Sequence, residues 1–166
     1  MTVTSDLPGV ALARRDEYEQ MLRAGLLPAH VFPPLAKEVE DAVLERAWSN
    51  AASPYDGHRL YVLSVAGSHS RIKIGQTTEV RRRIADHLNE YHVNGHGLVD
   101  AWISDPLPDG RTRENSLRWL LSLLPLEPGH RREEYPGASF QEVRTAAIVA
   151  TPPSVSELIG STADLE

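Results

Sequence analysis

The chain has 166 residues, enough for one domain with elaborations, and its 41% hydrophobic and 24% charged residues are ordinary globular composition. A net charge of -6 argues against strong non-specific nucleic-acid binding, and the absence of cysteine excludes disulfides and thiolate metal sites. No apolar run is long enough to span a bilayer and "MTVTSDLPGV" lacks the pattern of a secretion signal, so a soluble cytoplasmic protein with no membrane partner is expected.

In chain order, "ARRDEYEQMLRA" (13–24) reads as a helix closed by Gly25, and the proline-punctuated "LLPAHVFPP" as an ordered connection. Leu35, Val39, Ala42, Val43 and Ala47 then recur at helical spacing to about Asn50. The turn-rich "SNAASPYDG" separates this helical extension, 1–57, from the rest. "LYVLSV" and "RIKIG", joined by "AGSHS", predict a β-hairpin in which Ile72 and Ile74 face one way and Arg71 and Lys73 the other. The next helix is expected to be capped near Thr77 or Thr78 and to bury Val80, Ile84, Leu88 and Tyr91. "LVDAWIS" (98–104) predicts a third strand. A helix from about Thr112 to Leu124 follows, ended by Pro125. Ser139 and Glu142 have capping-box spacing and open a short helix with Phe140, Val143, Ala147 and Ile148 inward, stopped by Pro152-Pro153. The expectation is an α+β domain over 58–150, a small mixed or antiparallel sheet flanked by helices, with the N-terminal helical arm and a tail at 151–166.

Charge is unevenly spread. Residues 1–57 hold 5 Lys/Arg against 9 Asp/Glu, residues 58–150 hold 12 against 11, and residues 151–166 hold none against 3. Within the middle section Arg71, Lys73, Arg81, Arg82, Arg83 and His87 fall close together, with Arg111, Arg113, Arg131 and Arg132 as candidates for the same surface. Arg83 and His87 share a helical face, whereas Arg81 and Arg82 read as solvated. Leu117, Leu121 and Leu124 project within roughly 80° of Glu114, which puts that carboxylate at the edge of a core-facing stripe. It is either a partner of the helix dipole or a carboxylate aimed into a cleft to hold a metal. Tyr61 is either a half-buried sheet residue or a working phenol. Histidines 30, 58, 69, 92 and 96 show no zinc-ligand grouping.

The order Tyr61, Lys73-Ile74-Gly75, then Thr77 to His87 with the core "VRRRIADH", then Glu114 on a later helix, resembles the GIY-YIG nuclease superfamily over about 58–150. Two positions depart from the family pattern: Arg59-Leu60 stand before the tyrosine, and Lys73 replaces the second tyrosine, as in phage-type and some restriction branches. "REEYPGASFQEV" is similar to the tail of the phage-type branch. The resemblance implies a GIY-YIG-like fold, a nucleic-acid partner (DNA ahead of RNA, with the choice left open) and metal-dependent phosphodiester cleavage. It implies Tyr61 as general base, Arg83 as a fork for phosphate, and Glu114 as ligand to one Mg²⁺ or Mn²⁺. Asn115 and His130 are candidates for the asparagine that many members carry. His87 would relay a proton or bind phosphate, and Arg71, Arg81, Arg82 and Arg113 would bind substrate. A tyrosine that works as a base near pH 7 needs its pKa of about 10 lowered by roughly three units, with Lys73 and Arg83 as the source. The alternatives are the same scaffold reused on a small anionic molecule and a non-catalytic nucleic-acid-binding module.

Overall fold

The alternation of apolar residues in "RLYVLSVA" and "RIKIGQT" creates two sheet faces, and both are buried. In the computed structural model, which describes residues 9–26, 34–49, 57–125 and 133–152, these runs form β1 (Arg59–Ala66) and β2 (Arg71–Thr77). They pair antiparallel with Tyr61 opposite Gly75, Leu63 opposite Lys73 and Val65 opposite Arg71. This register puts Tyr61, Lys73 and Arg71 on one face. Leu60, Val62, Ile72 and Ile74 belong to the core of the other. Strand β3 (Gly97–Ile103) pairs with β1 across a bulge at Ser64/Val65, and the short β4 (Glu134–Pro136) pairs with β2. The sheet is antiparallel throughout, in the order β3-β1-β2-β4. Strand β4 was not foreseen; three residues are too few to carry a period.

Helices cover both faces. Tyr61, Leu63 and Val65 share a core with α1 (Gly9–Arg23), α2 (Pro34–Ser49) and α3 (Val80–Val93). The opposite core includes α4 (Gly110–Leu123) and α5 (Phe140–Ala150), which pack on Leu60, Val62, Ile72, Ile74 and Trp102. The N-terminal helices are therefore part of a layer over the sheet. Buried Glu40 of α2 ties that layer together: it accepts from the Tyr18 hydroxyl at 2.9 Å and the Leu98 amide at 2.8 Å, and lies 2.7 Å from His92 Nε2. Asp100 on β3 pairs with Arg46 and Arg15. Burying two carboxylates among the helices is tolerable because each finds donors from several elements.

Local signals explain most boundaries. Gly25 closes α1 with a φ of 68°, and the Leu26 amide reaches back to Met21 O. Asp109 caps α4 and Ser139 caps α5, each accepting from the amide three residues on. The cap of α3 differs from expectation. Its N-cap is Glu79, and Thr77 instead accepts from the Glu79 amide at 3.0 Å, turning the chain just before the helix. Two inward faces also need correction. On α3 the fully buried residues include His87, while Leu88 is only partly covered. On α5 Ala146 and Ala150 are buried and Ile148 is 47% exposed, because the small residues let α5 approach closely. The connections at 27–33 and 50–56, the loop carrying His130, Arg131 and Arg132, and the tail from 153 lie outside the described residues. Among the described residues, no helix is long and apolar enough to cross a membrane.

Candidate functional site

The phenol of Tyr61 lies across β2 at Gly75. A Cβ built on Gly75 would meet the Tyr61 Cζ at 2.2 Å and its hydroxyl oxygen at 2.3 Å. Only a glycine opposite Tyr61 lets the ring lie flat over the neighbouring strand and reach helix α3. There the hydroxyl meets His87 Nε2 at 2.9 Å. Lys73, 7% exposed, stands two residues along β2, and its Nζ contacts Glu133 Oε2 at 3.0 Å. Arg83, one turn before His87, is exposed and acts on the phenol both as a charge and as a hydrogen-bond partner. Four of the five residues foreseen as catalytic, Tyr61, Lys73, Arg83 and His87, thus meet on one face of the sheet.

Their electrostatics run against the expected phenolate. Burial raises the Tyr61 pKa above 10, Arg83 pulls it back only in part, and Glu133 raises it further. The phenol is protonated at neutral pH. His87 moves the other way: burial first, then the positive charges of Lys73 and Arg83, lower it to about 4. With both groups neutral, the direction of the bond follows the His87 tautomer, and the tautomer protonated on Nδ1 lets the phenol donate. In that tautomer Tyr61 O–H donates to His87 Nε2; in the other, Nε2–H donates to the phenol oxygen.

This pair makes stability depend on acid. His87 is neutral in the fold and titrates near 6.5 when unfolded, so the unfolded chain binds the extra proton between those values. Stability present above pH 6.5 should fall on acidification towards pH 4, by on the order of 2–3 kcal/mol for this group. Melting curves across that range test it: His87→Gln should flatten the slope in this window. A variant curve parallel to wild type would assign the acid sensitivity elsewhere.

Glu114 is not brought to these residues. The centre of α4's inner face is marked by Ser116 and Leu120, while Leu117, Leu121 and Leu124 are only partly covered. Projected at about 100° per residue, the side chain nearest that centre in the first turns is Arg113, and Glu114 points outward. Arg113 Nε donates to Gln76 at 2.9 Å and Nη1 lies 3.2 Å from His58 Nδ1. Glu114 is exposed, and its carboxylate has no hydrogen bond or ion pair among the described residues. It still sits at the Tyr61 end of the hairpin, because its neighbour Arg113 is anchored to Gln76, next to Gly75. Asn115 is exposed on the same helix.

Three further cations are engaged within the protein. Arg71 contacts Glu134 at 3.4 Å, Arg81 stacks on Trp48 at 4.4 Å, and Arg82 contacts Glu79 at 3.4 Å. Each of these three has a partner inside the protein, and Arg81 is more than a solvated surface residue. The carboxylates missed in sequence are Glu133 and Glu134, laid by consecutive residues beside Lys73 and Arg71. Glu133 holds a left-handed φ of 70°, uncommon for a residue with a Cβ, while its carbonyl accepts from the Ile74 amide at 3.0 Å. The only sequence signal was the acidic pair itself, with no means of knowing that it would land opposite "RIK". Comparison with family models, curated proteins and solved structures gives no match to this chain.

Proposed function

We propose that the protein hydrolyses phosphodiester bonds in nucleic acid, and that it does so as a GIY-YIG-type endonuclease. The observation that carries this reading is the Tyr61–His87 pair, flanked by Arg83 and Lys73 on one sheet face. A hairpin whose tyrosine lies over a glycine, followed by a helix presenting arginine and histidine one turn apart, supports it further. In this scheme Arg83 grips a phosphate oxygen. A water attacks phosphorus and gives its proton to the Tyr61 oxygen as the phenol proton passes to His87 Nε2, while the bond from phosphorus to one sugar oxygen breaks and that oxygen takes a proton from solvent water. The phenol need not be ionised beforehand. The arriving phosphate offsets the positive charges that weaken His87 as a base, so substrate itself raises its basicity.

Among the described residues there is no group of three His, Asp or Glu able to cage a metal. A magnesium-type ion asks for less, since one carboxylate, several waters and a substrate oxygen suffice; the exposed Glu114 carboxylate is open to such an ion, although the fold does not bring it to the Tyr61–His87 cluster. Bound there, Mg²⁺ or Mn²⁺ would supply Lewis-acid stabilisation of charge on the phosphate. A second reading, the same chemistry on a compact anionic molecule, is favoured by the internal pairing of Arg71, Arg81 and Arg82, which leaves few cations for a long backbone. The test is cleavage of plasmid DNA and of RNA with Mg²⁺ or Mn²⁺, alongside calorimetric titration of wild type and Glu114→Gln with Mn²⁺. Cleavage and Mn²⁺ binding should both collapse in the glutamine variant while the fold persists. Unchanged Mn²⁺ affinity would return Glu114 to the role of a surface carboxylate.

A further inference from the structure

Beyond the Tyr61–His87 pair, towards the hairpin turn, lies a cleft of about 800 Å³ whose lining includes Arg71, Glu90, Tyr91, Asn94, His96 and Glu134. It continues the site. Arg71 is two residues from Lys73 on the same strand face, a step of about 6.7 Å. Tyr91 is four residues from His87 on α3, a step of about 6 Å, and their rings stack. The lining is mixed in character. Arg71 lies against Glu134 and 3.1 Å from His96 Nδ1; because Arg71 can only donate there, His96 carries its proton on Nε2. The Tyr91 hydroxyl in the wall is buried, 2% of the residue being exposed, and has no hydrogen-bond partner among the described residues. Two carboxylates, Glu90 and Glu134, disfavour a second phosphate here, while donors and acceptors stand side by side. The volume suits a small organic group.

A substrate gripped at one phosphate needs contacts of another kind, and Tyr91 in the cleft wall lies eight residues along α3 from Arg83, about 12 Å, within reach of a nucleotide attached to that phosphate. We propose that the cleft receives the unpaired nucleobase of the nucleotide next to the scissile phosphate, an inference that rests on the phosphodiester reading above. A base stacked in a duplex must leave its stack at a cost, so the substrate is single-stranded or locally unpaired nucleic acid. Carboxylates at Glu90 and Glu134 would accept from an exocyclic amine or ring N–H, which makes the pocket selective among bases.

The experiment uses the whole wild-type chain in EDTA, so that nothing is cleaved, and fluorescence anisotropy with labelled tetranucleotides of dA, dC, dG and dT. An abasic tetramer of equal charge is the fifth probe. At least one base should bind tenfold more tightly than the abasic tetramer. Glu134→Gln and, separately, Glu90→Gln should reduce that preference to within about twofold without weakening the abasic probe, with melting curves confirming that each variant folds. Equal binding of all five probes would overturn the base pocket while leaving phosphate recognition intact. Failure of every probe to bind, the abasic one included, would overturn the pocket, and the phosphodiester reading falls with it if the cleavage assay with Mg²⁺ or Mn²⁺ is also negative.

Discussion

Tyr61→Phe should lose at least 100-fold in turnover while melting within a few degrees of wild type. Phenylalanine fills the same space over Gly75, so packing survives, and what disappears is one buried hydroxyl and its bond to His87 Nε2. Such a bond contributes about 1 kcal/mol to stability. Its chemical role is larger, because general acid–base transfer supplies roughly 10²–10⁴ in rate. With no oxygen between water and imidazole, the proton has no route to His87. The measurement is turnover on whichever nucleic acid the wild type cleaves, beside thermal melting. Near-normal turnover in the variant would remove the phenol from the mechanism.

Gly75→Ala should be among the most damaging single-methyl additions in the chain. The new Cβ would stand 2.2 Å from the Tyr61 ring, well inside contact distance, and the ring cannot retreat because His87 and the core of α1, α2 and α3 lie beyond it. Overpacking of this kind costs about 2–3 kcal/mol, and the shifted ring would also lose His87. A double-mutant cycle separates this clash from a general intolerance of alanine in β2. In a Tyr61→Ala background the added methyl should cost little, giving a large coupling between the two sites. Additive losses would show that Gly75 is needed for the strand and not for the ring.

The sequence carried the elements whose signals are local. Alternation in "LYVLSV" and "RIKIG" defined the hairpin, Gly25 and Ser139 marked helix ends, and Arg83–His87 spacing placed two side chains on one face. Register brought Lys73 beside Tyr61, and register depends on which face each strand buries once helices cover both sides. What escaped was long-range. Glu114 read as the edge of a core-facing stripe because three leucines shared its side of α4, but Ser116 and Leu120, the small and the central residues, are the ones buried. Ile148 was displaced from the core of α5 by alanines for a similar reason. The direction of the Tyr61 pKa was equally hidden: nearby cations could be read from the chain, whereas the depth of burial that outweighs them could not.

The Glu40 carboxylate also sets a timetable. It is made long before two of its three partners, since His92 and the Leu98 amide lie 52 and 58 residues downstream. At about 5–20 residues per second, synthesis of that interval takes on the order of 3–12 s. Until then α1 and α2 have no β3 to lie on, and the apolar faces of Leu35, Val39 and Val43 must stay wet or shielded as the nascent chain lengthens. During elongation the Glu40 carboxylate has water as its partner on that side, and the same charge becomes a structural acceptor once residues 92–98 are made.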